Sequence, residues 1–107
     1  GQAPAQPNNP EVLGMSLAPL DDAARRTFGI PANVRGVVVA ALESSSDAAR
    51  KGLRRGDVIV RANSRTVNAA SDLAAEVDAA RKAGRPSVLI GVNRDGRTLF
   101  LPLDIEG

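Results

Sequence analysis

The sequence has no cysteine, no histidine, no tryptophan and no tyrosine, and its aromatic content is two phenylalanines, Phe28 and Phe100. Without histidine, no Ser-His-Asp or Cys-His catalytic set can be assembled within the chain. Without cysteine or histidine there is no Cys/His zinc site, no disulfide framework and no CxxC redox pair. With so few aromatics, the core has to be built from Val, Leu, Ile and Ala, and no aromatic platform exists to stack nucleic-acid bases. An excess of one charge sign is missing too: 14 basic residues face 12 acidic ones, for a net charge of +2. Basic residues cluster as short pairs, among them Arg25-Arg26, Arg50-Lys51 and Arg54-Arg55. That is the pattern of a solvated mixed-sign surface, so no nucleic-acid partner is expected. No apolar run approaches the roughly 20 residues that a helix needs to cross a bilayer, so no membrane insertion is expected. The chain begins at Gly1 with no visible leader, and is read as an excised piece of a longer protein.

What remains fits one small domain of 107 residues. Residues 1–10 (GQAPAQPNNP) carry three prolines and no charge, and read as an extended linker. The folded domain is expected over 11–107. Leu13, Met15 and Leu17 alternate in the manner of a strand that ends at Pro19. Residues 21–29 read as a short helix, with two aspartates at its positive end and Gly29 as a stop. A β-branched run over 35–42 predicts a buried strand. Residues 44–52 repeat the helix logic: a serine N-cap, an early aspartate, late Arg and Lys, then Gly52. A strand follows at Val58–Arg61. The longest helix is predicted over Ser71–Ala83, where Leu73, Val77 and Ala80 share one face and Gly84 ends it. Strands over 87–92 and 98–103 flank Arg94-Asp95-Gly96-Arg97, a hairpin signal. So short a chain covers a curled, mostly antiparallel sheet most economically with its one long helix, giving an α+β, barrel-like domain.

The stretch 36–67 carries Ala48-Ala49, then Gly52-Leu53, then Gly56-Asp57-Val58-Ile59, then Asn63. This succession resembles the central signature of a PDZ domain. With the Val12-Leu13-Gly14-Met15 strand leading and a hairpin closing, it is similar to the bacterial variant at the C-terminal end of Do-type (HtrA) periplasmic serine proteases, in the position of the second, C-terminal PDZ domain. The resemblance covers about residues 11–105. It implies a circularly permuted PDZ-like α+β fold: five to six strands in a partly open barrel, with one long and one or two short helices. Two departures stand out: Asp47 lies where family members often have proline, and Asn63-Ser64 where they have Asn-Gly. Ser64 would tolerate a left-handed backbone less well than glycine does.

The resemblance also implies function. Such domains bind peptides by adding a strand at a sheet edge. A terminal carboxylate can be held by successive backbone amides on a glycine turn, without any side chain. Here that turn is Val12-Leu13-Gly14-Met15, with the amides of Leu13, Gly14 and Met15 as donors. Ser16 and Leu17 continue the pairing strand, and Met15 supplies an adaptable pocket wall. The opposite wall is the long helix. Leu73, Val77 and Ala80 form pocket floor or core, while Ala74, Asp78 and Arg81 lie on the adjoining stripe toward ligand side chains. Four or five main-chain hydrogen bonds at roughly 1 kcal/mol each, with one buried apolar side chain at roughly 2 kcal/mol, give weak, reversible capture. The implied partners are peptides or protein C-termini, a protease domain and another PDZ domain of the parent chain, and a homo-oligomer formed through that parent. The implied location is the periplasm.

Other chemistry is thin. Ser44-Ser45-Ser46 lacks a base, and Lys51 and Lys82 sit at helix ends. Asp57 reads as a turn residue and Asp21-Asp22 as a helix start rather than metal ligands. No catalytic, cofactor or metal residues are assigned. Glu11 places a negative charge beside the proposed anion cradle, with no Lys or Arg before Arg25. That supports an alternative, an interdomain or oligomer-assembly domain whose groove is unused or occluded.

Overall fold

A computed structural model describes residues 11–94 and 96–105. The Pro-rich stretch 1–10 and Asp95 of the expected hairpin lie outside the described residues. Among the described residues, seven strands form one sheet in which every pairing is antiparallel. The elements run β1 (Glu11–Val12), β2 (Met15–Pro19), α1 (Asp22–Phe28), β3 (Val37–Leu42), α2 (Asp47–Arg50), β4 (Val58–Ala62), β5 (Arg65–Thr66), α3 (Ala70–Lys82), β6 (Ser87–Arg94) and β7 (Arg97–Asp104). Their spatial order is β1-β2-β3-β4-β6-β7, with β5 paired to β4. The two strands that periodicity does not reveal, β1 and β5, are two residues long, too short for an alternation to register.

Alternation along the strands builds two separate layers. Val37, Val39 and Ile59 point to the main core, where they meet Met15, Leu17, Leu73, Val77, Val88 and Ile90 under α3. Val38 and Val58 point to the other face, where α1 covers them with Ala24 and Phe28, and Ile30 follows. Register shifts between Ser16 and Leu17 and between Ile59 and Arg61 curl the sheet around α3.

The helix ends follow sequence logic. Asp21 accepts from the Ala24 amide at 2.8 Å, and Gly29 closes α1 at φ 68°. Helix α2 is shorter than 44–52: Ser46 is its cap, and the Ser46 hydroxyl donates to the Glu43 carbonyl at 2.6 Å. Both α2 and α3 end in paired turn bonds, Leu53 N–H to Ala48 O and Arg85 N–H to Ala80 O. The start of α3 has no side chain to cap it at Ala69. Instead Asp72 reaches back and accepts from the amides of Asn68 and Ala69 at 2.9 and 3.1 Å. In the β4–β5 turn the positive φ falls on Asn63, at 56°, and not on Ser64. The departure from Asn-Gly is therefore harmless, because asparagine tolerates that conformation.

Candidate functional site

Val12 pairs with Met15, so Leu13 and Gly14 form a two-residue hairpin turn with φ 54° and 82°. Two positive φ values are the mark of a type I′ turn, whose twist matches the flanking strands. Two contacts seat the turn. The Gly14 carbonyl accepts from the Glu43 amide at 2.9 Å. A Cβ on Gly14 would stand 2.6 Å from the Ser46 Cβ, so the backbone rests directly on the residue that caps α2. Gly14 is thus fixed twice over, by conformation and by close approach. The amides of Leu13 and Gly14 have no acceptor among the described residues. Two of the three expected donors are therefore free; the third, Met15, sits in the ladder opposite Val12.

The edge of β2 is divided. Glu11 lies opposite Ser16 and Val12 opposite Met15, so the first two positions of the edge already have a partner. The Gly14 carbonyl points toward β3, and alternation turns the N–H and C=O of Leu17 to the opposite side, past the end of β1. Pro19 then closes the edge, having no N–H to offer.

The expected groove is filled by its own side chains. Met15 and Leu17 are fully buried, Val77 is 4% exposed and Val12 is 8% exposed, all in one cluster with Leu73 and Ala80. Met15, Leu17 and Val77 thus serve as core and not as an open pocket wall, because α3 lies directly on β1 and β2. Ala74, Asp78 and Arg81 are exposed on α3. Asp78 is paired with Lys82 at 3.1 Å. Leu13, Gly14 and Ser16 are half-buried, so the turn stays within reach of solvent.

Two polar centres were not legible in the sequence. Buried Asp57 accepts from the Arg54 amide at 2.9 Å, as a turn residue should, but it also holds Arg94 in a fork at 2.9 and 2.6 Å. Thirty-seven residues separate that pair, so no local signal could announce it. Asp47, the residue in place of the expected proline, accepts from Lys51 Nζ and from the Asp104 amide, each at 2.9 Å. Chiefly the Asp104 amide, and then Lys51, hold its carboxyl below the usual value of 3.8. Lys51 also donates to the Pro102 carbonyl at 2.7 Å, so α2 covers part of the outer edge of β7. Among the described residues, no group of three or more acidic side chains could hold a metal ion, and no helix is long and apolar enough to cross a membrane.

Comparison with known proteins gives a consistent result. The chain is 42% identical over 72 residues to a probable periplasmic serine endoprotease, DegP-like, of Brucella suis, covering 67% of this chain and 14% of that protein. It is 36% identical over 95 residues to the DegP-like protein of Bartonella henselae, covering 89% of this chain and 17% of that one. The chain therefore spans about a seventh of the length of these relatives. Among solved structures, the HtrA-type protease AlgW with decapeptide superposes with TM-score 0.68 at 27% identity, over 87% of this chain and 28% of that one. The HtrA3 PDZ domain bound to a phage-derived ligand (FGRWV) shares the fold, with TM-score 0.66 at 22% identity, over 87% of this chain and 82% of that one. The PDZ domain family itself is matched over residues 11–105. With this match and these relatives added to the glycine turn, the antiparallel sheet and the long helix, the chain belongs to the PDZ domain family and is homologous to DegP-like serine endoproteases.

Proposed function

We propose that this domain captures protein C-termini or extended segments of unfolded proteins for a periplasmic serine endoprotease whose catalytic domain lies outside this chain. The observation that carries the reading is the pair of unshared amides at Leu13 and Gly14, on a turn seated against Ser46 and next to a sheet edge. Two oxygens of a terminal carboxylate suit two adjacent N–H donors, a charge-assisted pairing stronger than a neutral one. The peptide chain pairs with β2 at Leu17 and takes the place of Glu11–Val12 along the edge, while the Glu43 bond to the Gly14 carbonyl and the contact with Ser46 keep the glycine seated. Ala74, Asp78 and Arg81 then face the peptide's side chains. Solved structures of HtrA-type proteins titled with a decapeptide and a phage-derived ligand support peptide capture.

The parent supplies the protease domain and a neighbouring PDZ domain, and a homo-oligomer multiplies the weak single-site affinity. A net binding energy of roughly 5 to 8 kcal/mol corresponds to a dissociation constant between sub-millimolar and micromolar. Acid and amide forms of one peptide ending in an apolar residue test the reading by calorimetry. Amidation is expected to weaken binding about tenfold, the loss of a charge-assisted pair. Equal binding of the two forms contradicts the carboxylate cradle.

A second reading is favoured by the burial of Val12, Met15, Leu17 and Val77, which leaves the groove closed. In that reading the domain docks onto a neighbouring domain or subunit and sets assembly size. A peptide-display screen separates the two. Enriched apolar C-termini support capture. A silent screen, with a changed oligomer when the domain is removed from its parent, supports assembly.

A further inference from the structure

A cavity lies on the opposite face of the sheet from α3, outside the proposed peptide groove. Its volume is about 390 Å³, within the range of small-ligand sites. One wall is apolar, made by Phe28, Ile30, Pro31 and the buried Val58. The other carries Arg54, Arg55 and Arg94 against, among the described residues, a single carboxylate, Asp57. Asp57 is committed to Arg94, which it holds in a two-pronged fork. Among the described residues, that leaves Arg54 and Arg55 without a carboxylate. Arg55 is oriented all the same: its Nε donates to the Ala40 carbonyl at 3.0 Å, and its guanidinium lies 4.9 Å from the centre of the Phe28 ring. Its two terminal nitrogens have no acceptor among the described residues, and neither has the guanidinium of Arg54. The Arg54 backbone is in turn fixed by the hydrogen bond its N–H donates to the Asp57 carboxylate. One guanidinium held against an apolar wall, with a second on a fixed backbone beside it, matches a carboxylate next to an apolar side chain.

We propose that this cavity is a second docking site, independent of the carboxylate cradle, for an acidic protein segment in which a Glu or Asp side chain adjoins an apolar residue. Charge complementarity fixes the occupant. The carboxylate bridges Arg54 and Arg55, and the apolar neighbour rests on Phe28 and Pro31. No free chain end is needed, so the occupant is an internal acidic segment of a client protein.

The test is a 1H–15N NMR titration of the 107-residue chain with the doubly blocked peptide acetyl-Glu-Phe-Glu-Leu-amide, which has no terminal carboxylate. Saturable shifts are expected at Gly29, Arg55, Gly56 and Asn93, with Leu13 to Leu17 unmoved. The Gln-Phe-Gln-Leu counterpart is expected to bind the wild-type chain at least about tenfold more weakly, and so is the acidic peptide to the Arg54→Gln/Arg55→Gln variant. The glutamine-peptide control needs no variant, so a failure of that variant to fold leaves the proposal open to refutation. No shifts around the cavity, equal binding of both peptides, or shifts confined to Leu13–Leu17 and α3 would overturn it. So would inorganic phosphate producing the same shifts with equal affinity, since that describes a simple anion site.

Discussion

At the scale of single residues, the turn between β1 and β2 shows how much one position can carry. Gly14 adopts φ 82° and would place a Cβ 2.6 Å from the Ser46 Cβ. Both the left-handed backbone and the close approach act against any side chain. Gly14→Ala is therefore expected to destabilise the domain by about 2 kcal/mol or more. A shift of the urea midpoint measures this, and an unchanged midpoint contradicts the contact. Glu11 acts on the same turn electrostatically. It is exposed and next to the amides proposed to hold an anion. Glu11→Gln is expected to raise the affinity for peptides with a free C-terminus by about two- to fivefold at low salt, and less at high salt. No change at either salt would remove Glu11 as a brake. The glycine was visible in the sequence as a bend, but Ser46 beneath it was not: the two lie far apart in the chain and meet only once β2 and β3 have paired.

At the scale of elements, α2 behaves as a clasp. Asp47 takes the Asp104 amide and Lys51 takes the Pro102 carbonyl, so one short helix satisfies two outward-facing groups of β7. Because hydrogen bonds hold the folded carboxyl of Asp47 below 3.8, its contribution is complete above the unfolded value and disappears as pH falls through the lowered one. Asp47→Asn is expected to lower stability by about 1 kcal/mol at neutral pH, with the gap between variant and wild type closing in acid below the ordinary carboxylate range. Chemical denaturation at several pH values reads this directly, and a gap constant down to strong acid would contradict it. The second polar centre is stronger. Asp57 is 3% exposed and closes a fork on Arg94 that ties the β4 entry to β6. Asp57→Asn removes the buried negative charge that the fork holds against Arg94 and is expected to cost about 3 kcal/mol, measured as a fall in melting temperature. The helices and the longer strands were legible because caps and alternation are local. The clasp and the fork were not, because their partners come from other parts of the chain.

At the scale of the whole molecule, the sheet divides its two faces between different tasks. One face packs α3 so closely on β1 and β2 that Met15, Leu17 and Val77 belong to the core. The other keeps a cavity between α1, the approach to β4 and the β6–β7 hairpin. Alternation in the sequence marked Leu13 as part of the inward stripe of one strand running through to Leu17. The structure instead breaks that strand at Leu13-Gly14 and folds its first two residues back as β1. Period-two patterning cannot show such a break, since a tight hairpin returns the chain to the same sheet with little change in its apolar spacing. The consequence is functional. In the proposed capture, a ligand strand competes with Glu11–Val12 for the edge of β2.

The proposed capture rests on the amides of Leu13 and Gly14 accepting a terminal carboxylate, and an amide-resolved NMR titration observes those two protons themselves. Adding a peptide with a free apolar C-terminus is expected to move the Leu13 and Gly14 amide protons downfield and slow their exchange with solvent, with smaller changes at Leu17. If those two signals stay in place while the peptide binds, the carboxylate is held elsewhere and the cradle is contradicted.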